Sequence, residues 1–172
     1  MRLLACVLLV AALASPAAAE TVSPPCAGEE FRQLDFWVGT WDLAWEGGKG
    51  ENIITRDFND CVIRENFSDL SPVTEGSLPF RGTSVSTYHV PSSLWRQTWV
   101  DNQGGYYALT GGPQPDGTFV LTDSRLHDAA PHARMVFDNI TPDSLTWRWQ
   151  GSEDGVTWQD RWVITYTRRA AP

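Results

Sequence analysis

The residues able to do chemistry are few and scattered in this chain. Its histidines are His89, His127 and His132. His127 and His132 flank Asp128, so a metal ion held from that loop is one reading, and two solvated loop histidines are the other. His89 falls near the end of a predicted strand, with inward parity. Asp101, Asp123 and Asp160 could supply carboxylates for proton transfer, but their spacing pairs none of them. There is no G-x-S-x-G, no H-E-x-x-H, no P-loop and no glycine-rich dinucleotide fingerprint. The sequence therefore assigns no catalytic residue, no metal ligand and no cofactor.

The aromatic residues are more informative. The chain has nine tryptophans, and most recur two apart or four apart within predicted strands: Trp95 and Trp99, Trp147 and Trp149, Trp158 and Trp162. Residues at even spacing share one face of a strand, so several indoles should converge on one interior. Gln97 lies between Trp95 and Trp99, Asp101 comes next on that face, and Asp160 lies between Trp158 and Trp162. Thr87 and His89 share a face with Val85. These residues are either the wall of a hollow that takes an apolar or planar ligand, or part of a solid aromatic core. The candidate lining set is Trp95, Gln97, Trp99, Asp101, His89, Trp147, Trp149, Asp160 and Trp162. Buried polar members need partners; if the alternation breaks at a bulge, they lie outside instead. Arg64, Arg96 and Arg148 either pair with acids or sit in solvent.

The elements that must position these residues are strands. From Trp37 the pattern has a period of two, with Trp37, Gly39, Trp41, Leu43 and Trp45 on the inward face. Turn signals follow every 8 to 14 residues, among them Gly47-Gly48-Lys49-Gly50, Asn59-Asp60, Pro113-Gln114-Pro115-Asp116-Gly117 and Glu153-Asp154-Gly155. The last strand is predicted at Thr157–Arg168. About ten short strands at hairpin spacing, preceded by one helical turn near Glu29–Asp35, predict an all-β fold. Sequential hairpins without a long crossover favour an antiparallel up-and-down barrel over a sandwich, and closure also removes sheet edges.

The N-terminus reads as an export signal. Met1-Arg2 precedes an apolar run from Leu3 to Ala14, and Ala17-Ala18-Ala19 offers a cleavage site before Glu20. The run is shorter than the roughly 20 residues that span a bilayer. The organisation expected is a signal peptide at 1–19, an irregular leader at 20–28 and one barrel domain at 29–169, delivered to the periplasm or secreted. Cys26 and Cys61 survive cleavage, and an even count in an oxidising compartment predicts a disulfide. A net charge of −8 argues against nucleic acid or an anionic membrane surface as partner.

The string Leu34-Asp35-Phe36-Trp37-Val38-Gly39-Thr40-Trp41-Asp42 carries a resemblance. Gly39-x-Trp41 after a short helical turn resembles the G-x-W opening of lipocalins and their calycin relatives. The fuller string is similar to the start of a bacterial family of uncharacterised exported domains. Trp95-Arg96-Gln97-Thr98-Trp99-Val100-Asp101-Asn102 and the Ser152–Trp158 segment also match, so the resemblance covers about Phe31 to Arg168. It implies a calycin-like barrel in which Trp41 packs across the closed end beneath an arginine of the last strand, Arg168 or Arg169. It implies no agreed activity. Ser152–Trp158 also resembles the Asp-box S-x-D-x-G-x-T-W, a hairpin motif, but is one residue short between Asp154 and Gly155.

The function these readings favour is an exported, non-catalytic barrel that binds a small apolar or aromatic molecule. Two alternatives stay open. One is a solid-cored structural or interaction module of the cell envelope. The other is an enzyme or a haem-binding barrel using interior His89 and acids, since some calycin-like barrels hold haem through a single histidine.

Overall fold

The computed structural model describes residues 24–124 and 132–170. The expected signal at 1–19, and His127 with Asp128, lie outside the described residues. Among the described residues, no helix is long and apolar enough to cross a membrane.

Ten antiparallel strands close into one barrel. They are β1 (Gly39–Trp45), β2 (Gly48–Asp57), β3 (Val62–Asp69), β4 (Arg81–His89), β5 (Leu94–Asp101), β6 (Tyr106–Pro113), β7 (Phe119–Asp123), β8 (His132–Asp138), β9 (Ser144–Ser152) and β10 (Gln159–Arg168). Every strand pairs with its neighbours in sequence, and β1 pairs with β10 in the register Trp41 with Arg168 and Leu43 with Tyr166. The up-and-down barrel expected from the turn spacing is thus the fold observed. It has the short helical lead-in as well, as two 3-10 turns at Glu29–Arg32 and Asp35–Trp37. Trp37 belongs to the second turn rather than to the first strand.

One end of the barrel is solid. Phe31 and Trp37 from the two turns, and Leu34 between them, are buried in it, and together they form a plug. The Trp37 ring meets Phe137 edge-on at 5.1 Å, and Phe36 meets the same ring at 5.5 Å. Trp95 packs against Phe119 and Tyr88, and its indole N–H donates to Gln33 Oε1 at 3.1 Å. Trp41 donates its indole N–H to the Trp37 carbonyl at 2.8 Å.

Arg168 locks this end. Its guanidinium lies 4.0 Å over the Trp41 ring, and its Nη1, Nη2 and Nε donate to the carbonyls of Val38, Phe36 and Pro142 at 2.6, 2.8 and 2.6 Å. Of the two arginines left open by the sequence, Arg168 takes the tryptophan. Arg169 pairs with Asp42 and Glu51 on the outer wall. Gly39 is explained by the same contact. It has a φ of 140°, and a Cβ there would overlap the Arg168 guanidinium, so a side chain is excluded by both backbone conformation and space.

Cys26 and Cys61 form the predicted disulfide. It ties the leader to the turn just before β3 rather than to the strand itself. Arg32 Nη2 reinforces the tie by donating to the Cys26 and Asp60 carbonyls at 3.3 and 2.8 Å.

The Ser152–Trp158 segment turns tightly despite its shortened spacing. Asp154 Oδ1 accepts from the Thr157 and Val156 amides at 2.7 and 2.8 Å and from the Ser152 hydroxyl at 2.9 Å. Those donors, the Thr157 amide foremost, hold the Asp154 carboxyl well below the usual carboxylate range.

Candidate binding site

The other end of the barrel is hollow. A cavity of about 280 Å³ opens there, at the lower edge of the roughly 300–1,000 Å³ common for small-molecule sites. Its wall is aromatic: Phe80, Trp99, Tyr107, Trp147, Trp149 and Trp162. Strand alternation puts five of them there, and Phe80 comes from the loop before β4. Trp147 and Trp149 are two apart on β9, and their rings lie 6.4 Å apart and nearly parallel at 10°. Trp162 on β10 stands at 87° to Trp147 with centroids 5.7 Å apart, and Tyr107 meets Trp149 edge-on at 4.8 Å. Leu109 and Met135 complete the apolar surface toward the solid half.

Trp99 is held from two sides. Its indole N–H donates to Asp101 Oδ2 at 3.0 Å. Its ring lies over Gly82 of the neighbouring strand, where a Cβ would overlap it. Asp101 is fixed in turn by the amides of Gln103 and Gly105, which donate to its Oδ1 at 2.9 and 2.8 Å. Burial works to raise the Asp101 carboxyl, but the Trp99 N–H and the two amides outweigh it and hold it below its usual range.

The cavity also reaches a polar cluster. Glu65 of β3 is 6% exposed and lines the cavity together with Gln97. Its Oε2 accepts from Ser84 Oγ at 2.6 Å, and its Oε1 accepts from Asn52 Nδ2 at 2.7 Å. Asn52 Nδ2 also donates to Tyr166 Oη at 3.0 Å, while Asn52 Oδ1 has no partner. Gln97 Nε2 donates to Ser86 Oγ at 2.9 Å. Burial pushes the Glu65 carboxyl up to about 7, against the pull of the Ser84 and Asn52 hydrogen bonds. Burial and then the nearby Glu65 charge push the Tyr166 hydroxyl up as well, so it stays protonated.

Of the residues singled out from the sequence, the cavity gathers Gln97, Trp99, Asp101, Trp147, Trp149 and Trp162. Three lie elsewhere. Trp95 faces inward but belongs to the solid end, where it is 1% exposed. Asp160 lies on the outer wall, where it accepts from Arg148 Nη1 at 2.7 Å and Gln150 Nε2 at 2.8 Å. The cause is a β-bulge: the pairing with β9 shifts between Asp160 and Trp162, leaving Arg161 as the extra residue. Two positions that would share a face in a regular strand therefore point opposite ways. Trp158 lies before the same bulge and stacks outside under Arg134, at 4.1 Å.

His89 is the third. The inward face of β4 carries Ser84, Ser86 and Tyr88, while Val85 is 41% exposed, so the Val85–Thr87–His89 face points out. The hydroxyls face inward because Glu65 and Gln97 need partners there. His89 Nδ1 instead hydrogen-bonds Ser92 Oγ at 2.8 Å, at the plugged end of the barrel. Arg64 and Arg148 pair outside with Asp57 and Asp138, each at 2.6 Å.

Glu65 was not legible as a site residue from its type alone, because an acid in a strand ordinarily faces water. Its signal is positional: Ile63 and Phe67 flank it on the same face. Among the described residues, no group of three or more His, Cys, Asp or Glu is placed to hold a metal ion.

No protein-family profile matches this chain. No curated protein matches it. Among solved structures, it is similar to the S-type phycobiliprotein lyase CPES from Guillardia theta, with 16% identity and a TM-score of 0.48 over 84% of this chain and 97% of that one.

Proposed function

We propose that this protein is an exported, calycin-like barrel that binds one small aromatic or apolar molecule in the open-end cavity, and that its role is binding rather than turnover. The observation that carries the reading is the cavity itself, walled by six aromatic rings from strands and the loop before β4. A preformed apolar hollow with a few fixed polar groups is the usual form of a small-molecule site. Its size favours a one- or two-ring compound over a tetrapyrrole or a long acyl chain. The residues proposed to contact the ligand are Trp99, Trp147, Trp149, Trp162, Gln97 and Glu65, with Asp101 orienting Trp99. The signal reading of residues 1–19 and the Cys26–Cys61 disulfide support an oxidising, extracytoplasmic location.

The test is titration of the protein lacking residues 1–19 with indole and 2-naphthol, followed by isothermal calorimetry and by native mass spectrometry. Saturable one-to-one binding, weakened at least tenfold by Trp162→Leu, is the expected result. A barrel that takes up neither compound, or that binds them unchanged when Trp162 is replaced, would overturn the reading.

A further inference from the structure

We propose that the cavity is selective for an organic cation, a small protonated or quaternary amine whose charged head lies against Glu65 within the cage of indoles. This rests on the binding reading above and narrows its ligand class.

Three observations point the same way. The first is the sign of the charge. The lining residues include two carboxyl groups, Glu65 and Asp101, and no lysine, arginine or histidine. An anionic ligand would meet repulsion there with no compensating partner.

The second is the arrangement of the rings. Trp147 and Trp149 lie parallel, Trp162 stands across Trp147 at 87°, and Tyr107 stands across Trp149 at 68°. Ring faces carry negative quadrupole density and ring edges positive density, so a cation is drawn to indole and phenol faces that border the hollow, as quaternary ammonium groups are in aromatic cages.

The third is the situation of Glu65. Several acids elsewhere in the molecule have arginine partners: Asp35 with Arg56, Asp57 with Arg64, Asp138 and Asp160 with Arg148, Asp42 with Arg169. Glu65 is more deeply buried than these, yet its side-chain hydrogen bonds come from a hydroxyl and an amide. Each oxygen accepts one of these bonds, and an ionised carboxylate has room for about four. A ligand that is only apolar gains nothing from an acid at this depth. A cationic one supplies the counter-charge that the barrel wall does not.

The same geometry makes binding depend on pH. Without a cation beside it, the Glu65 carboxyl keeps a proton up to about pH 7, and below that pH the proton must leave when an ammonium group takes its place. The groups around Glu65 are Asn52 on β2 and Ser84 on β4, which hydrogen-bond it, Tyr166 on β10, which feels its charge, and Gln97 and Asp101 on β5, which line the same cavity. Tyr166 stays neutral and Asp101 stays ionised across the neutral range, so Glu65 is the member of this group that titrates there.

Three ligands matched in shape decide the matter: tryptamine, 3-propylindole and indole-3-propionate, titrated calorimetrically into the wild type and Glu65→Gln at pH 6 and pH 8. Tryptamine is expected to bind about tenfold or more tighter than 3-propylindole at pH 8, with indole-3-propionate weakest. The preference shrinks several-fold at pH 6, where proton release accompanies tryptamine binding. Glu65→Gln loses the preference for the amine, so that tryptamine and 3-propylindole bind it within about twofold of each other. If 3-propylindole or indole-3-propionate binds as well as tryptamine to the wild type, the cation proposal falls and the binding cavity stands. If the preference survives in Glu65→Gln, Glu65 is not the recognising group and the proposal falls. If none of the three binds, the cavity reading falls with it.

Discussion

The guanidinium of Arg168 lies 4.0 Å above the Trp41 ring and donates to the carbonyls of Val38 and Phe36. One side chain of the last strand thereby holds the first strand and the plug together. Arg168→Ala removes the cation–π contact and leaves those carbonyls short of donors. It should cost about 2–4 kcal/mol in urea unfolding. Arg168→Lys restores the charge without the fork of donors and should recover less than half of that loss. Ligand binding at the other end should be unchanged in whatever fraction remains folded.

Stability should fall as pH rises through the neutral range. The Glu65 carboxyl is raised from its ordinary 4.5 to about 7 in the folded barrel. Between those values the folded chain keeps a proton that the unfolded chain has lost, so stability is full below about 4.5 and is progressively lost up to about 7. The difference is about 3 kcal/mol, or roughly 6–12 °C in Tm for a domain of this size. Glu65→Gln should flatten the pH 5 to pH 8 profile and melt higher than the wild type at pH 8. A wild-type Tm that does not fall between pH 5 and pH 8 would refute the assignment.

Gly82 sets the position of Trp99. A Cβ at Gly82 would overlap the indole, so Gly82→Ala must push that ring off the strand. The expected outcome is a retained fold with at least severalfold weaker binding of 2-naphthol. The tryptophan emission should shift as Trp99 loses its bond to Asp101. Near-ultraviolet dichroism and fluorescence on the same sample check both.

Removing the Cys26–Cys61 disulfide releases a loop spanning a sequence separation of 35. The chain-entropy estimate for a loop of that size is about 3–4 kcal/mol. A Cys26→Ser and Cys61→Ser double variant should lose that much in urea unfolding, with the cavity intact.

Much of the barrel could be read from spacing alone. Trp41 and Leu43 alternate with exposed residues as a half-buried strand requires, and the turn signals bracket strands that pair in sequence order. The cavity was legible only in part, because parity says which way a side chain faces and not how far along the barrel it sits. Trp95 and Trp99 share a face, yet one is sealed beneath the plug and the other borders the hollow. Asp160 was misplaced because the bulge at Arg161 depends on pairing with β9 and leaves no mark in residue type. His89 was misplaced because the inward face of β4 is polar, so Val85 pointed to the wrong side. In each case the deciding interaction links strands that are not read together in a linear pattern.

The separation of plug and hollow has a consequence for how such a chain can change. The contacts that close the barrel, Arg168 with Trp41 and Trp37 with Phe137, lie at the end away from Trp99 and Trp162, with Trp147 at the boundary as the cross-strand partner of Phe137. Residues at the mouth can therefore be exchanged for others of similar volume while the seal that keeps the barrel shut is untouched. One scaffold can in this way give rise to a series of receptors with different tastes, with Glu65 as the position where a change of ligand charge would be written.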